Sequence, residues 1–324
     1  METLKKQIID LYEIEKDSIE KLPDNGEIYT CNYGSNEYIL RISKRISAEG
    51  QKAETRWVNY LFNNGINVSN PVSSKNNEFV EQIILKDTSY SAVLFNKAKG
   101  QIPSTNEWNS TLFIKCGETI AKMHNLSELN NGKENRVIIN DWHIQDEYDT
   151  EKYIPSNSQK LREKCNKIFK QINSLPKNNQ TYGVIHSDIC LGNFFIHEDE
   201  ITFFDFQDCE QHYFINDLAI FIYFAIYNSF NGEDINSYAE QMISSLLKGY
   251  MKERKLDIFW VNQIPLFMKL REILSINQIY CYENVDKLND DYRILMNIYR
   301  RNIENDIPVI DINFESIWEN IKAN

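Results

Sequence analysis

The stretch "YGVIHSDICLGNFFIHEDEITFFDFQD", residues 182–208, constrains this chain more than any other. Val184 and Ile185 lead into a polar cluster, Phe194 to Ile196 reads as a short strand, "HEDE" makes a turn, and Ile201 to Phe204 supplies a second strand. One hairpin therefore carries Asp188 and Asn193 ahead of its first strand and Asp205 behind its second, and chain reversal brings those two ends together. The apolar flanks anchor such a segment in a core while its polar residues stay at the surface.

That arrangement suits phosphoryl transfer. A carboxylate must orient and deprotonate the attacking hydroxyl, and hard oxygen donors must hold magnesium against the phosphates. Asp188 is available for the first task, Asn193 and Asp205 for the second. Gly192 reads as a point where the backbone takes positive φ or passes close beneath a nucleotide.

Around this stretch the pattern divides. Leu4, Ile8, Leu11 and Ile14 form a helical stripe, "EIYTCNYGSNEYILRIS" reads as a hairpin, a helix follows over about 47–64, and strands fall near 79–85 and 91–96. Past Gly100 the spacing is helical, over 108–126, about 158–175, and from Asp217 to the C-terminus. The fold class is α+β with two lobes: an antiparallel β-rich lobe with one helix over residues 1–96, a connector over 97–103, and a larger, mostly helical lobe over 104–324.

The six cysteines show no CxxC pair and no zinc spacing, which points to reduced thiols and a cytoplasmic protein. The start lacks the apolar core of a signal peptide, and the apolar run "LAIFIYFAIY" is too short to span a bilayer. A net charge of -12 opposes nucleic acid and anionic membranes as partners and favours a cationic small molecule. The sequence does not fix an oligomeric state.

"HSDICLGN" followed about a dozen residues later by "FFDFQD" resembles the H-x-D-x-x-x-x-N and D-x-x pair of the protein-kinase-like fold. It is more closely similar to the aminoglycoside phosphotransferase and choline kinase family, whose usual forms are H-G-D-x-H-x-x-N and I-D-F-D/E. Within it, "EYILRIS", "ETRWVNYL" and "DCEQHYFINDLAIFI" look most like type II homoserine kinase and related bacterial phosphotransferases. The resemblance covers roughly residues 20–275 and implies a kinase-like fold using magnesium and a nucleotide, ATP or GTP.

By that resemblance Asp188 is the catalytic base, Asn193 and Asp205 are magnesium ligands, and His186 braces the catalytic loop. Asp217, opening the apolar helix, hydrogen-bonds the loop backbone. Ser187 stands where the family has Gly, and Cys190 where His is common. In the small lobe Arg41 takes the place of the kinase lysine, on the strand face of Ile39 and Ser43 and opposite Tyr38, Leu40 and Ile42. Its carboxylate partner is expected to be Glu54, which shares helical spacing with Trp57, Val58 and Leu61, rather than Glu49. The phosphate-covering loop is "LPDNGEIY", with Asn25 and Gly26, and the adenine-binding hinge is "LFNKAKG", with Asn96 and Ala98.

The implied reaction moves the ATP γ-phosphate to a hydroxyl of a small molecule. The short run from Asp205 to Asp217 leaves no room for an activation loop. The acidic, aromatic "YCYENVDKLNDDY" would suit an amino alcohol, a choline-like molecule or an aminoglycoside through cation–π and carboxylate contacts, and homoserine, a sugar and a protein Ser stay open. A regulatory nucleotide-binding protein without turnover and a protein Ser/Thr kinase are the competing readings. His124 reads as structural packing, and His143, His197 and His212 as surface or turn residues.

Overall fold

The alternating apolar residues of the first hundred positions form an antiparallel sheet, and the helical spacing beyond them forms a bundle. This is a computed structural model, and it describes residues 2–23, 27–44, 48–104, 106–230 and 234–323. The chain divides into two units. The first comprises Met1–Ile102, Glu134–Ile139 and Asn193–Asp208, and the second Pro103–Lys133, Asn140–Gly192 and Cys209–Asn324.

In the first unit, helix α1 (Glu2–Tyr12) precedes strands β1 (Glu20–Lys21), β2 (Ile28–Tyr33) and β3 (Asn36–Ser43). Helix α2 (Ala48–Asn63) follows, then β4 (Pro71–Val72), β5 (Val80–Leu85) and β6 (Thr88–Asn96). The sheet runs in the order β1-β2-β3-β6-β4, with β5 also paired to β6 and every pairing antiparallel. Because side chains alternate along β3, Tyr38, Leu40 and Ile42 pack with Leu4 and Ile8 of α1, while Ile39 packs on the opposite face with Val80, Val93 and Phe95. Arg41 shares that second face. Trp57, Val58 and Leu61 bury the apolar side of α2, each such side chain contributing about 1.5–3 kcal/mol.

The same unit holds the later hairpin of β8 (Phe194–His197) and β9 (Glu200–Phe203), turned by Glu198 and Asp199 at φ 47° and 72°. These angles are those of a two-residue hairpin turn whose twist matches the strands.

The second unit contains α3 (Ser110–Asn131), α4 (Thr150–Tyr153), α5 (Gln159–Asn173), β7 (Tyr182–Ile185) and β10 (Glu210–Tyr213). It continues through α6 (Phe214–Ser229), α7 (Ile235–Glu253), α8 (Ile258–Val261), α9 (Ile264–Tyr282), α10 (Asp290–Glu304) and α11 (Phe314–Ala323). Helices α3 and α7 cross at backbone contact. A Cβ at Gly117 would stand 2.1 Å from the Leu246 carbonyl oxygen, and one at Gly249 would stand 2.0 Å from that of Ile114. Only glycine permits this approach.

Three expectations change. Residues 210–213 form a strand paired to β7, where the sequence signalled none. Helix α6 starts at Phe214, so Asp217 lies inside its first turn instead of opening it. His212 is fully buried, not a surface or turn residue. Among the described residues no helix is long and apolar enough to cross a membrane.

Candidate active site

In the first unit Glu54 and Asp205 gather around Arg41. Its Nη1 donates to Glu54 Oε1 at 3.0 Å, its Nη2 donates to Glu54 Oε2, and both side chains are almost wholly buried. The β3 alternation turns Arg41 toward α2, and the 3.6-residue period places Glu54 on the inward face of that helix. Glu49 is exposed. Arg41 also lies 5.1 Å over the ring of Phe95, and its Nη1 stands 3.7 Å from Asp205 Oδ1. A buried guanidinium held by one carboxylate and approached by a second is a fixed positive charge.

Asn193 and Asp205 sit at the two open ends of the β8–β9 hairpin. The Phe204 N–H donates to the Asn193 carbonyl oxygen at 3.0 Å and ties those ends together. Asn193 is buried at the end of a single helical turn, Leu191–Asn193, whereas the Asp205 side chain is half exposed. Asp205 holds φ at 61°, a left-handed conformation that costs a non-glycine residue about 1 kcal/mol or more. Gly192 does not adopt positive φ, and a Cβ there would meet nothing within 4 Å. The backbone strain expected of Gly192 lies at Ser187 and Asp205 instead. An amide oxygen and a carboxylate pinned this way are hard donors suited to magnesium, which keeps several waters and takes its remaining oxygens from phosphates. Among the described residues no group of three or more His, Cys, Asp or Glu side chains could hold a metal on its own.

Asn25 and Gly26, assigned to the phosphate-covering loop, lie outside the described residues. Asn96 ends β6 with its side chain donating to Asn70 Oδ1 at 2.7 Å, so that side chain is already engaged. Ala98 is half-buried in the irregular segment that follows.

In the second unit the segment after β7 is held by Asp217. Its Oδ2 accepts the His186 N–H at 3.0 Å, and its Oδ1 accepts the Ser187 N–H at 2.9 Å. His124 Nε2 stands 3.1 Å from Asp217 Oδ2, and His124 Nδ1 stands 2.9 Å from the Tyr250 hydroxyl. The α3–α7 crossing brings His124 and Tyr250 together. Burial pushes His124 below its ordinary range, so its ring is neutral at pH 7, with Nε2–H donating to Asp217 and Nδ1 accepting from Tyr250. Burial works to raise the Asp217 carboxyl, but the hydrogen bonds it accepts from His124 and from the His186 N–H outweigh it and hold it below the carboxylate range.

Ser187 holds φ at 67°, and its Oγ donates to Glu210 Oε1 at 2.6 Å. Glu210 is buried and also accepts from the Tyr148 hydroxyl at 2.7 Å. Ser187 thus holds a left-handed backbone fastened by a side-chain bond that a glycine would lack. Glu210 did not stand out in the sequence because "EQHY" carries no apolar alternation, and nothing in "QDEYDT" marked Tyr148.

Asp188 follows with its side chain a quarter exposed. The His186 ring accepts the Asp188 N–H at 3.4 Å, the Cys190 N–H donates to the Asp188 carbonyl oxygen at 2.9 Å, and the Cys190 thiol stands 4.0 Å from Asp188 Oδ2. Arg271 of α9, which the sequence did not flag, lies 3.8 Å from Asp188 Oδ1. Two short relays thus converge on the loop bearing Asp188, one through Asp217 and one through Glu210. "YCYENVDKLNDDY" spans the end of α9 and the start of α10, with Tyr282 and Tyr292 exposed.

The profile of the phosphotransferase enzyme family matches residues 25–251. A relative, amicoumacin kinase of Bacillus subtilis (strain 168), is 29% identical over 311 residues, covering 94% of this chain and 93% of that protein. The structure of amicoumacin kinase hAmiN in complex with AMP-PNP, Ca2+ and Ami superposes with a TM-score of 0.91 at 29% identity, covering 98% of this chain and 96% of that one. The microcompartment-associated aminopropanol kinase shares the fold, with a TM-score of 0.72 at 16% identity and coverage of 100% and 99%.

Proposed function

Since this chain belongs to the phosphotransferase enzyme family, we propose that it is an ATP- and magnesium-dependent kinase that phosphorylates a hydroxyl of a small molecule, with amicoumacin-like antibiotics first among candidate acceptors. The observation that carries the reading is the buried Arg41–Glu54 pair with Asp205 at its edge. A cation fixed in this way has donors and charge to offer phosphate oxygens, and a carboxylate beside it has oxygens to offer magnesium.

In this reading Asp188 accepts the hydrogen bond of the acceptor hydroxyl, orients it for attack and takes its proton. Arg41 holds the phosphates in the place of the kinase lysine, with Glu54 fixing its direction. Asn193 and Asp205 present the oxygens that hold magnesium, which when bound neutralises charge on the phosphates. Asp217, His124, Ser187 and Glu210 touch no reactant and keep the Asp188 loop in one conformation. Ala98 offers backbone groups to adenine beside Asn96, whose own N–H is already bonded to the Asn70 carbonyl oxygen, and Asn25 and Gly26 belong to the loop covering the phosphates. The six free cysteines suit a cytoplasmic setting.

The acceptor is proposed from the amicoumacin kinase likeness, which spans nearly the whole of both chains. The test is ADP release by the purified chain with ATP, with and without magnesium, over amicoumacin, an aminoglycoside, choline, amino alcohols and homoserine. Magnesium-dependent ADP release matched by one phosphate gained on an acceptor, read by mass spectrometry, supports the proposal. A thermal shift with ATP but no ADP release with any acceptor favours a nucleotide-binding protein without turnover.

A further inference from the structure

Arg271 projects from α9 toward the Asp188 carboxylate, with Nη2 3.8 Å from Oδ1 and a side chain only 11% exposed. That separation is an ion pair but too long for a hydrogen bond. Its guanidinium lies 4.8 Å over the ring of Phe224, and its Nε is sealed from solvent without a partner. Phe224 is two turns along α6 from Asp217, so one helix pins the Asp188 loop and seats Arg271. Arg271 makes no hydrogen bond to the described residues. Of the five N–H donors of a guanidinium, the one on Nε is sealed here without a partner, and burying a donor unused is costly. Packing against Phe224 fixes where this charge sits, and its Nη donors make no hydrogen bond to the described residues and can meet a ligand.

We infer that Arg271 is a specificity-determining residue that binds a carbonyl or carboxylate oxygen of the acceptor close to the hydroxyl held by Asp188. The inference rests on the proposed kinase reaction, in which the phosphate charge already falls to Arg41 and magnesium. The acceptor class narrows to hydroxy acids and hydroxy amides, because a purely cationic amino alcohol would bring its charge toward Arg271 and leave the donors unmet.

Two matched pairs test this: L-homoserine against 3-aminopropan-1-ol, and L-threoninamide against 1-aminopropan-2-ol. Each pair differs only by the carboxylate or the carboxamide. The expected result is that kcat/KM favours the carbonyl-bearing member of at least one pair by about tenfold or more. Arg271→Gln raises its KM by a similar factor with kcat within about threefold, and Arg271→Lys recovers part of the loss. Absence of preference in both pairs, including no turnover of either carbonyl-bearing member, overturns the assignment. So does an Arg271→Gln variant that lowers kcat equally for both members of a pair at unchanged KM. Asp188→Asn run beside it separates the two claims: retained turnover there refutes the proposed base, whatever Arg271 does. Circular dichroism of each variant checks folding.

Discussion

Nη1 of Arg41 stands 3.7 Å from Oδ1 of Asp205, while the same guanidinium is gripped at both nitrogens by Glu54. The distance to Glu54 is that of a charge-assisted hydrogen bond and the distance to Asp205 is not, so Glu54 sets the direction of Arg41 and Asp205 only feels its charge. Glu54→Gln should therefore raise the KM for ATP by about tenfold. It should also lower stability by about 3–5 kcal/mol, because it leaves a buried cation without its counter-charge. Steady-state kinetics with varied ATP and thermal denaturation read the two effects separately.

Asp217→Asn keeps one acceptor oxygen and turns the other into a donor that faces an N–H. The expected outcome is a fall in kcat of about a hundredfold with little change in the KM for ATP, because the loop that presents Asp188 loosens while the first unit is untouched. Faster amide hydrogen exchange at His186 and Ser187 would accompany it.

Ser187 offers an ordering test. Ser187→Gly relieves the left-handed φ but loses the bond to Glu210, whereas Ser187→Ala keeps the strain and loses the same bond. Alanine should be the less stable by about 1 kcal/mol in chemical denaturation. Equal stability of the two would mean that the φ at Ser187 carries no strain.

Stability should fall with acidification below neutral pH. His212 is buried against Trp142, Tyr148, Tyr182 and Phe267, its Nδ1 accepts the Tyr213 N–H, and burial pushes its pKa from 6.5 down to about 3. The unfolded chain therefore takes up a proton near pH 6.5 that the folded chain refuses, and stability drops by about 1.4 kcal/mol per pH unit from there toward 3. His124, also lowered by burial, adds to the same slope, while Asp217, held below the carboxylate range, adds its loss only below about pH 4. His212→Phe should flatten the dependence of Tm on pH between 6.5 and 4.

What the sequence made legible follows from periodicity. The β8–β9 hairpin, the face of Arg41 and the choice of Glu54 over Glu49 each rest on a two- or 3.6-residue pattern that local burial obeys. The kinase-like α+β fold could be read from the same patterns and the family motifs. What stayed hidden depends on long-range packing. Strand β10 escaped because Glu210 and His212 are polar residues buried by Tyr148, Ser187 and a ring of aromatic side chains, and alternation of apolar residues cannot signal that. Asp217 looked like a helix cap because nothing in "YFIN" marks Tyr213 as the boundary. Arg271 was not marked by any sequence pattern, because only the packing of α9 against α6 sets it over Phe224.

The most direct measurement is single-turnover phosphate transfer by Asp188→Asn with ATP, magnesium and the best acceptor of the panel, beside the unaltered chain. The account predicts a rate lower by about 10²–10⁴ with the thermal shift produced by ATP and magnesium intact. A rate within a few-fold of the unaltered chain would contradict it.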